Sequence, residues 1–122
     1  MAQNQNITIF SLGVRTVTAD SPVMQNIFHS GVEVVLNVTA VTSTPSVVVK
    51  IQARDIASGA FYDLLTSAAV TTTGIKQYLI YPGISMTTGE WNDRPLPREF
   101  RVRMEHANAN AITYSVGACL LV

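Results

Sequence analysis

Apolar residues in this chain recur at every second position, and that habit narrows the fold more than any other feature. In Val32 to Thr42 the even positions Val32, Val34, Leu36, Val38 and Ala40 are apolar, while Glu33, Val35, Asn37, Thr39 and Val41 form a mixed face. Val47 to Asp55 repeats the pattern, with Val47, Val49, Ile51 and Ala53 against Val48, Lys50, Gln52 and Arg54. Glu99 to Glu105 is the clearest case: Phe100, Val102 and Met104 alternate with Glu99, Arg101, Arg103 and Glu105. Strand side chains point to opposite faces in turn, so a period of two marks a strand with one buried face. No segment sustains the 3.6-residue period of a helix. About three residues in ten are Val, Ile or Thr, whose branched Cβ suits a pleated sheet.

Turn residues divide the pattern into elements. Ser43-Thr44-Pro45-Ser46 separates the first two strands and predicts a hairpin between them. Asp55 to Ala60 is a second turn, with Gly59 at a positive φ. Phe61 to Val70 reads as a strand that loses its alternation near Ser67, and Thr71 to Gly74 as a turn. Ile75 to Tyr81 is a strand stopped by Pro82-Gly83, and Ile84 to Pro97 is a long irregular stretch. After Glu99–Glu105, the residues His106 to Asn110 turn the chain into Ile112 to Val122. Ile7 to Thr18 is a strand in which Gly13 predicts a bulge. Val23 to Phe28 fits either a short helix capped by Asp20 or Ser21, or a short edge strand. With no repeat, linker or low-complexity tract, residues 1–122 read as a single all-β domain. It is an antiparallel β-sandwich or small barrel of about 7–8 strands, with residues 1–6 a possible N-terminal arm.

Charge is sparse and excludes several functions. Lys and Arg number 8, Asp and Glu number 8, and only 13% of the 122 residues are charged, against 48% hydrophobic. Two lysines in a chain of zero net charge do not suit a nucleic-acid surface. No apolar run approaches the roughly 20 residues of a bilayer-spanning helix, so no membrane partner is expected. Met1 to Asn6 is polar and amide-rich, unlike a signal peptide. The single cysteine, Cys119, has no internal disulfide partner and reads as a packing residue of the last strand. So few charges on a small domain suggest that part of its surface meets a partner.

Little in the chain points to catalysis. His29 and His106 share no metal-ligand spacing with each other or with Cys119, and His106 reads as a solvated loop residue. There is no G-x-S-x-G nucleophile elbow and no phosphate-binding glycine loop. No cofactor and no catalytic residue is expected. Asp55 is expected to accept amide hydrogen bonds in its own turn, and Asp63 to pair with Arg54 or Lys50. Asn6-Ile7-Thr8 and Asn37-Val38-Thr39 match the glycosylation pattern and read as chance matches. Half the charge lies between Glu90 and Glu105, beside the only tryptophan, Trp91. This cluster is either the solvated outer face of one strand or a contact patch, since Trp and Arg are enriched at interface hot spots. The candidate contact residues are therefore Trp91, Asn92, Asp93, Arg94, Arg98, Arg101 and Arg103, together with Ala2, Gln3, Asn4, Gln5 and Asn6 of the arm.

From Val47 to Gly83 the chain shows Lys50-Ile51-Gln52, Asp55, Ser58-Gly59, Phe61-Tyr62, Asp63-Leu64-Leu65, Ala68-Ala69, Gly74 and Tyr81-Pro82-Gly83 in order. Later come Pro95 to Val102 and Ile112 to Ala118. This run of core and turn residues resembles a family of small structural proteins from the virions of tailed bacteriophages, over roughly residues 32 to 119; the first thirty residues match less well. The resemblance implies a non-enzymatic β-sandwich made in the bacterial host cytoplasm and bound on the virion head. It would be a decoration or cement protein that stabilises the shell. The implied partners are the major capsid protein and further copies of the chain, with a trimer favoured. A tail component (tube, terminator or minor tail protein) is the alternative, and a carbohydrate-binding module a third reading, weakened by 7% aromatic content. Phe10, Phe61, Phe100 and most tyrosines are expected in the core.

Overall fold

A computed structural model of the protein describes residues 3–86 and 89–122. Ten strands are seen among them: β1 (Gln5–Arg15), β2 (Ala19–Asp20), β3 (Met24–Gln25), β4 (Gly31–Val41), β5 (Val47–Arg54), β6 (Phe61–Thr66), β7 (Gly74–Ile80), β8 (Glu90–Asn92), β9 (Glu99–His106) and β10 (Ile112–Leu121). The first sheet has the order β1-β10-β4-β7-β8. The second has β2-β9-β5-β6, with β3 also paired to β9. The two sheets pack face to face as a sandwich and do not close into a barrel. The strands beyond the expected 7–8 are the short β2, β3 and β8, too brief to show a period.

The core follows the alternation closely. Val32, Val34, Leu36 and Val38 of β4 and Val47, Val49, Ile51 and Ala53 of β5 are buried, as are Phe100, Val102 and Met104 of β9. Ile112, Tyr114, Val116, Ala118 and Leu120 complete it from β10. In β6 the alternation fails because the register shifts between Ile51 and Gln52, which pair with Leu65 and Asp63. The extra residue of that bulge is Leu64, so two successive leucines turn inward. Gly13 likewise sits at a register shift in β1.

Three expectations are corrected. The strands β4 and β5 do not form a hairpin: β4 lies between β10 and β7, and β5 between β9 and β6. Residues 42–46 instead carry the chain from one sheet to the other, with Ser43 in the left-handed region at φ 60°. Either arrangement buries one face of each strand, so alternation alone does not choose between them. Second, the irregular stretch 84–97 contains β8, which pairs in parallel with β7. Third, Gln5 and Asn6 begin β1 and are not part of a free arm. Asn4 Oδ1 accepts the Val122 N–H at 3.0 Å, and the Gln3 carbonyl lies 2.6 Å from His29 Nε2. Ala2 lies outside the described residues.

Val23 to Phe28 holds the edge strand β3 and no helix. Asn26, buried just after it, fixes the following loop: its Nδ2 donates to His29 O at 2.7 Å and Leu96 O at 3.0 Å, and its Oδ1 accepts the His29 N–H at 3.0 Å. The loop so held points Ile27 and Phe28 into solvent, Phe28 with 73% exposure.

His106 is the half-buried last residue of β9, not a solvated loop residue. Its Nε2 lies 3.1 Å from the Tyr114 hydroxyl, and its N–H donates to Thr18 Oγ1 at 3.0 Å. Burial pushes its pKa below the ordinary 6.5, and the nearby Arg15 guanidinium adds to the shift. Arg15 is fixed there by donating to Tyr114 O at 2.8 Å and Ser11 O at 2.6 Å. An imidazole that resists protonation when folded binds its proton more readily when unfolded, so folding stability falls as pH drops through about 6.5. Thermal melts should therefore show a lower midpoint at pH 5.5 than at pH 7.5. A His106→Gln variant should lose most of that slope; an unchanged slope would place its origin elsewhere.

Candidate functional site

The two outer faces of the sandwich differ in charge. On the second sheet, outward positions of β9, β5, β6 and β2 carry four cations and four carboxylates, and these neutralise one another. Lys50 Nζ lies 3.1 Å from Glu105 and 3.7 Å from Asp63, Arg54 lies 3.4 Å from Glu99, and Asp20 lies 3.1 Å from Arg103 and 3.7 Å from Arg101. Gln52 ties the network together, accepting from Arg101 Nε and donating to Asp63, both at 2.8 Å. Phe61, expected in the core, is on this outer face with the Arg101 guanidinium 3.6 Å from its ring centre. The Lys50 pKa is raised, chiefly by its hydrogen bond to Glu105, and the Glu105 carboxyl is held below its ordinary range, chiefly by Lys50. Exposed pairs of this kind add little stability. Their consequence is a face whose charges already have partners.

The first sheet's outer face has almost no charge. Asn6, Cys119, Glu33, Leu79 and Trp91 stand opposite one another in turn and form one row across all five strands, β1-β10-β4-β7-β8. At about 4.8 Å per strand the row spans about 19 Å. The next row is Thr8, Gly117, Val35 and Gln77, and beyond it Ser115, Asn37 and Ile75 are neighbours. Glu33 is the single ionisable Asp, Glu, Lys or Arg in these rows. Because Gly117 has no side chain, the surface dips there into a trough of about 380 Å³ lined by Asn6, Ile7, Glu33, Val35, Gly117, Ala118 and Cys119. Cys119 faces this trough and is not packed in the core. Trp91, 40% exposed, ends the Glu33 row on β8.

The expected contact residues separate accordingly. Trp91 and Asn6, distant in sequence, are brought onto one face. Arg101 and Arg103 are on the opposite face within the ion network. The apparent cluster from Glu90 to Glu105 divides because β8 and β9 belong to different sheets. Asn92 links the sheets by donating to Leu64 O at 2.6 Å. Asp93 accepts the Gly83 N–H. Arg98 is exposed beside Gln25, and the Nε of Arg94 is buried with no hydrogen-bond partner among the described residues. Asp55 binds its own turn as expected, taking the Ser58 hydroxyl at 2.7 Å and the Ala57 N–H at 3.3 Å. Lys50 rather than Arg54 is the partner of Asp63.

Sequence reading missed Glu33, Gly117, Cys119 and Leu79. The signal available was a single carboxylate in the otherwise uncharged outer set of β4, but the strands that surround it are far away in the chain. Among the described residues no group of three or more His, Cys, Asp and Glu is placed to hold a metal. Comparison with protein-family models finds no match, and neither does comparison with curated proteins or with solved structures.

Proposed function

We propose that this protein is a non-enzymatic structural component of a tailed-phage virion, a decoration protein that binds the outer head surface and stabilises the shell. The observation that carries the reading is the asymmetry of the sandwich. One face has its charges paired within the chain, and the other is a nearly uncharged sheet surface ending in Trp91. An uncharged face of this breadth avoids the large desolvation cost of ionised groups when covered, provided its amides and hydroxyls find hydrogen bonds in the partner. The likeness of its core and turn residues to small phage virion proteins supplies the virion setting. Copies joined as a trimer would bind the shell at several points at once, which would compensate for modest affinity at each one.

Binding to purified heads that lack the protein tests the proposal. The wild type should saturate the heads, and Trp91→Ala should bind about tenfold more weakly, as expected if its exposed ring is buried as an anchor on docking. Unchanged occupancy with Trp91→Ala would remove that residue from the interface. Absence of wild-type binding, or rings of about six subunits in solution, would turn the assignment toward a tail component.

A further inference from the structure

The decisive feature is a carboxylate without a partner among the described residues. The four acidic residues of the ion-paired face are neutralised there, and Asp55, Glu90 and Asp93 each accept main-chain N–H groups. Glu33 alone among the eight acidic residues makes no hydrogen bond or ion pair with any described residue. It is half-buried in the central strand β4, with Cys119 on one side and Leu79 on the other, at the wall of the Gly117 trough. Neither neighbour carries a charge to offset it. Water can satisfy this carboxylate while the face is open, but a partner that covers the face must supply a cation or hydrogen-bond donors to it.

We infer that Glu33 receives a Lys or Arg side chain of the shell protein, which enters the trough along Gly117 with its aliphatic stem on Val35. This rests on the reading of that face as the docking surface. Three features select such a partner. The trough exists because position 117 has no side chain, so it offers a long side chain room beside the carboxylate. Its walls at Val35 and Cys119 are apolar, matching the methylenes of a lysine or arginine. The sole charge is negative, which repels phosphates and acidic surfaces. It also disfavours a symmetric pairing of two copies about this point, since a two-fold axis would bring two carboxylates together. A two-fold mate is therefore disfavoured, and the occupant assigned is the shell protein, through a cation on a surface otherwise low in charge.

Binding isotherms on heads lacking the protein, taken at low and high salt, test the inference. Glu33→Gln should bind about tenfold more weakly at low salt, and the difference should shrink as salt rises. Glu33→Lys should lose binding altogether, and Asp63→Asn, on the ion-paired face, should bind like the wild type. The free Glu33→Gln protein should melt no lower than the wild type, because the carboxylate has no partner to lose. If the wild type binds and Glu33→Gln matches it at every salt concentration, the cation inference is overturned and the docking face stands. If the wild type does not bind, the reading of the face is overturned.

Discussion

Replacing Gly31 with alanine is expected to lower stability by about 3 kcal/mol, at the upper end of what overpacking usually costs. Gly31 opens β4 where the strand crosses the end of β7. A Cβ added there would overlap the Ile80 carbonyl oxygen and lie 2.7 Å from the Tyr81 ring. Neither neighbour is free to yield. Ile80 is fully buried, and the Tyr81 hydroxyl is tied to Val122 O at 2.7 Å. Gly31 itself is paired with Leu121, and the preceding Ser30 N–H donates to Leu121 O at 2.7 Å. For a domain of this size the thermal midpoint should fall by about 12 °C. Gly117→Ala is the matched control: its new Cβ would come no nearer than 3.8 Å to the Ile7 carbonyl oxygen, so its midpoint should scarcely move. A mild effect at Gly31 would mean that the junction of β4 and β7 is looser than described.

The second large effect concerns docking. Val35 lies at the centre of the uncharged face, between Gly117 and Gln77. Val35→Asp adds a second negative charge one row from Glu33. In the free protein the aspartate still reaches solvent, so the stability cost should stay near the roughly 1 kcal/mol range of strand propensities. Covered by a shell subunit it becomes a second desolvated carboxylate competing with Glu33 for one cation, a penalty of about 3 kcal/mol, or about a hundredfold in affinity. The same change at Val48, on the ion-paired face beside Glu105, should leave occupancy unchanged. Equal effects at both positions would remove the distinction between the faces.

The long strands, the inward residues of β9 and β10 and the Asp55 turn could be read directly, because each rests on a local period or a local hydrogen bond. The pairing of strands could not. Ser43 to Ser46 looks like a hairpin turn, yet it carries the chain between sheets, and only contacts with distant β7, β9 and β10 decide that. The same limit hid the site. Glu33 is one residue of a mixed face until β7 and β10 flank it with Leu79 and Cys119. Trp91 and Arg101 look like neighbours until β8 and β9 prove to lie in different sheets. Leu64 and Leu65 broke the period because a bulge turned both inward, which residue type alone does not announce.

The faces also divide the work of the sequence in physical terms. Strand positions facing the second sheet's exterior carry Lys50, Arg54, Arg101 and Arg103 with their acidic partners, a surface that remains favourable in water. Those facing the first sheet's exterior carry Thr8, Val35, Asn37, Gln77, Thr113 and Ser115, a surface with hydrogen-bonding groups but no ion to desolvate beyond Glu33. Low overall charge is thus concentrated into one uncharged sheet surface instead of being spread thinly around the molecule.

A cryo-EM reconstruction of the parent phage particle is the most direct test of the central claim. The account predicts a copy of this sandwich on the outer head surface, with the row from Asn6 to Trp91 against the shell, a basic side chain of the capsid protein at Glu33, and the Lys50–Arg103 face toward solvent. Contact through the ion-paired face, or a position away from the head, would contradict it.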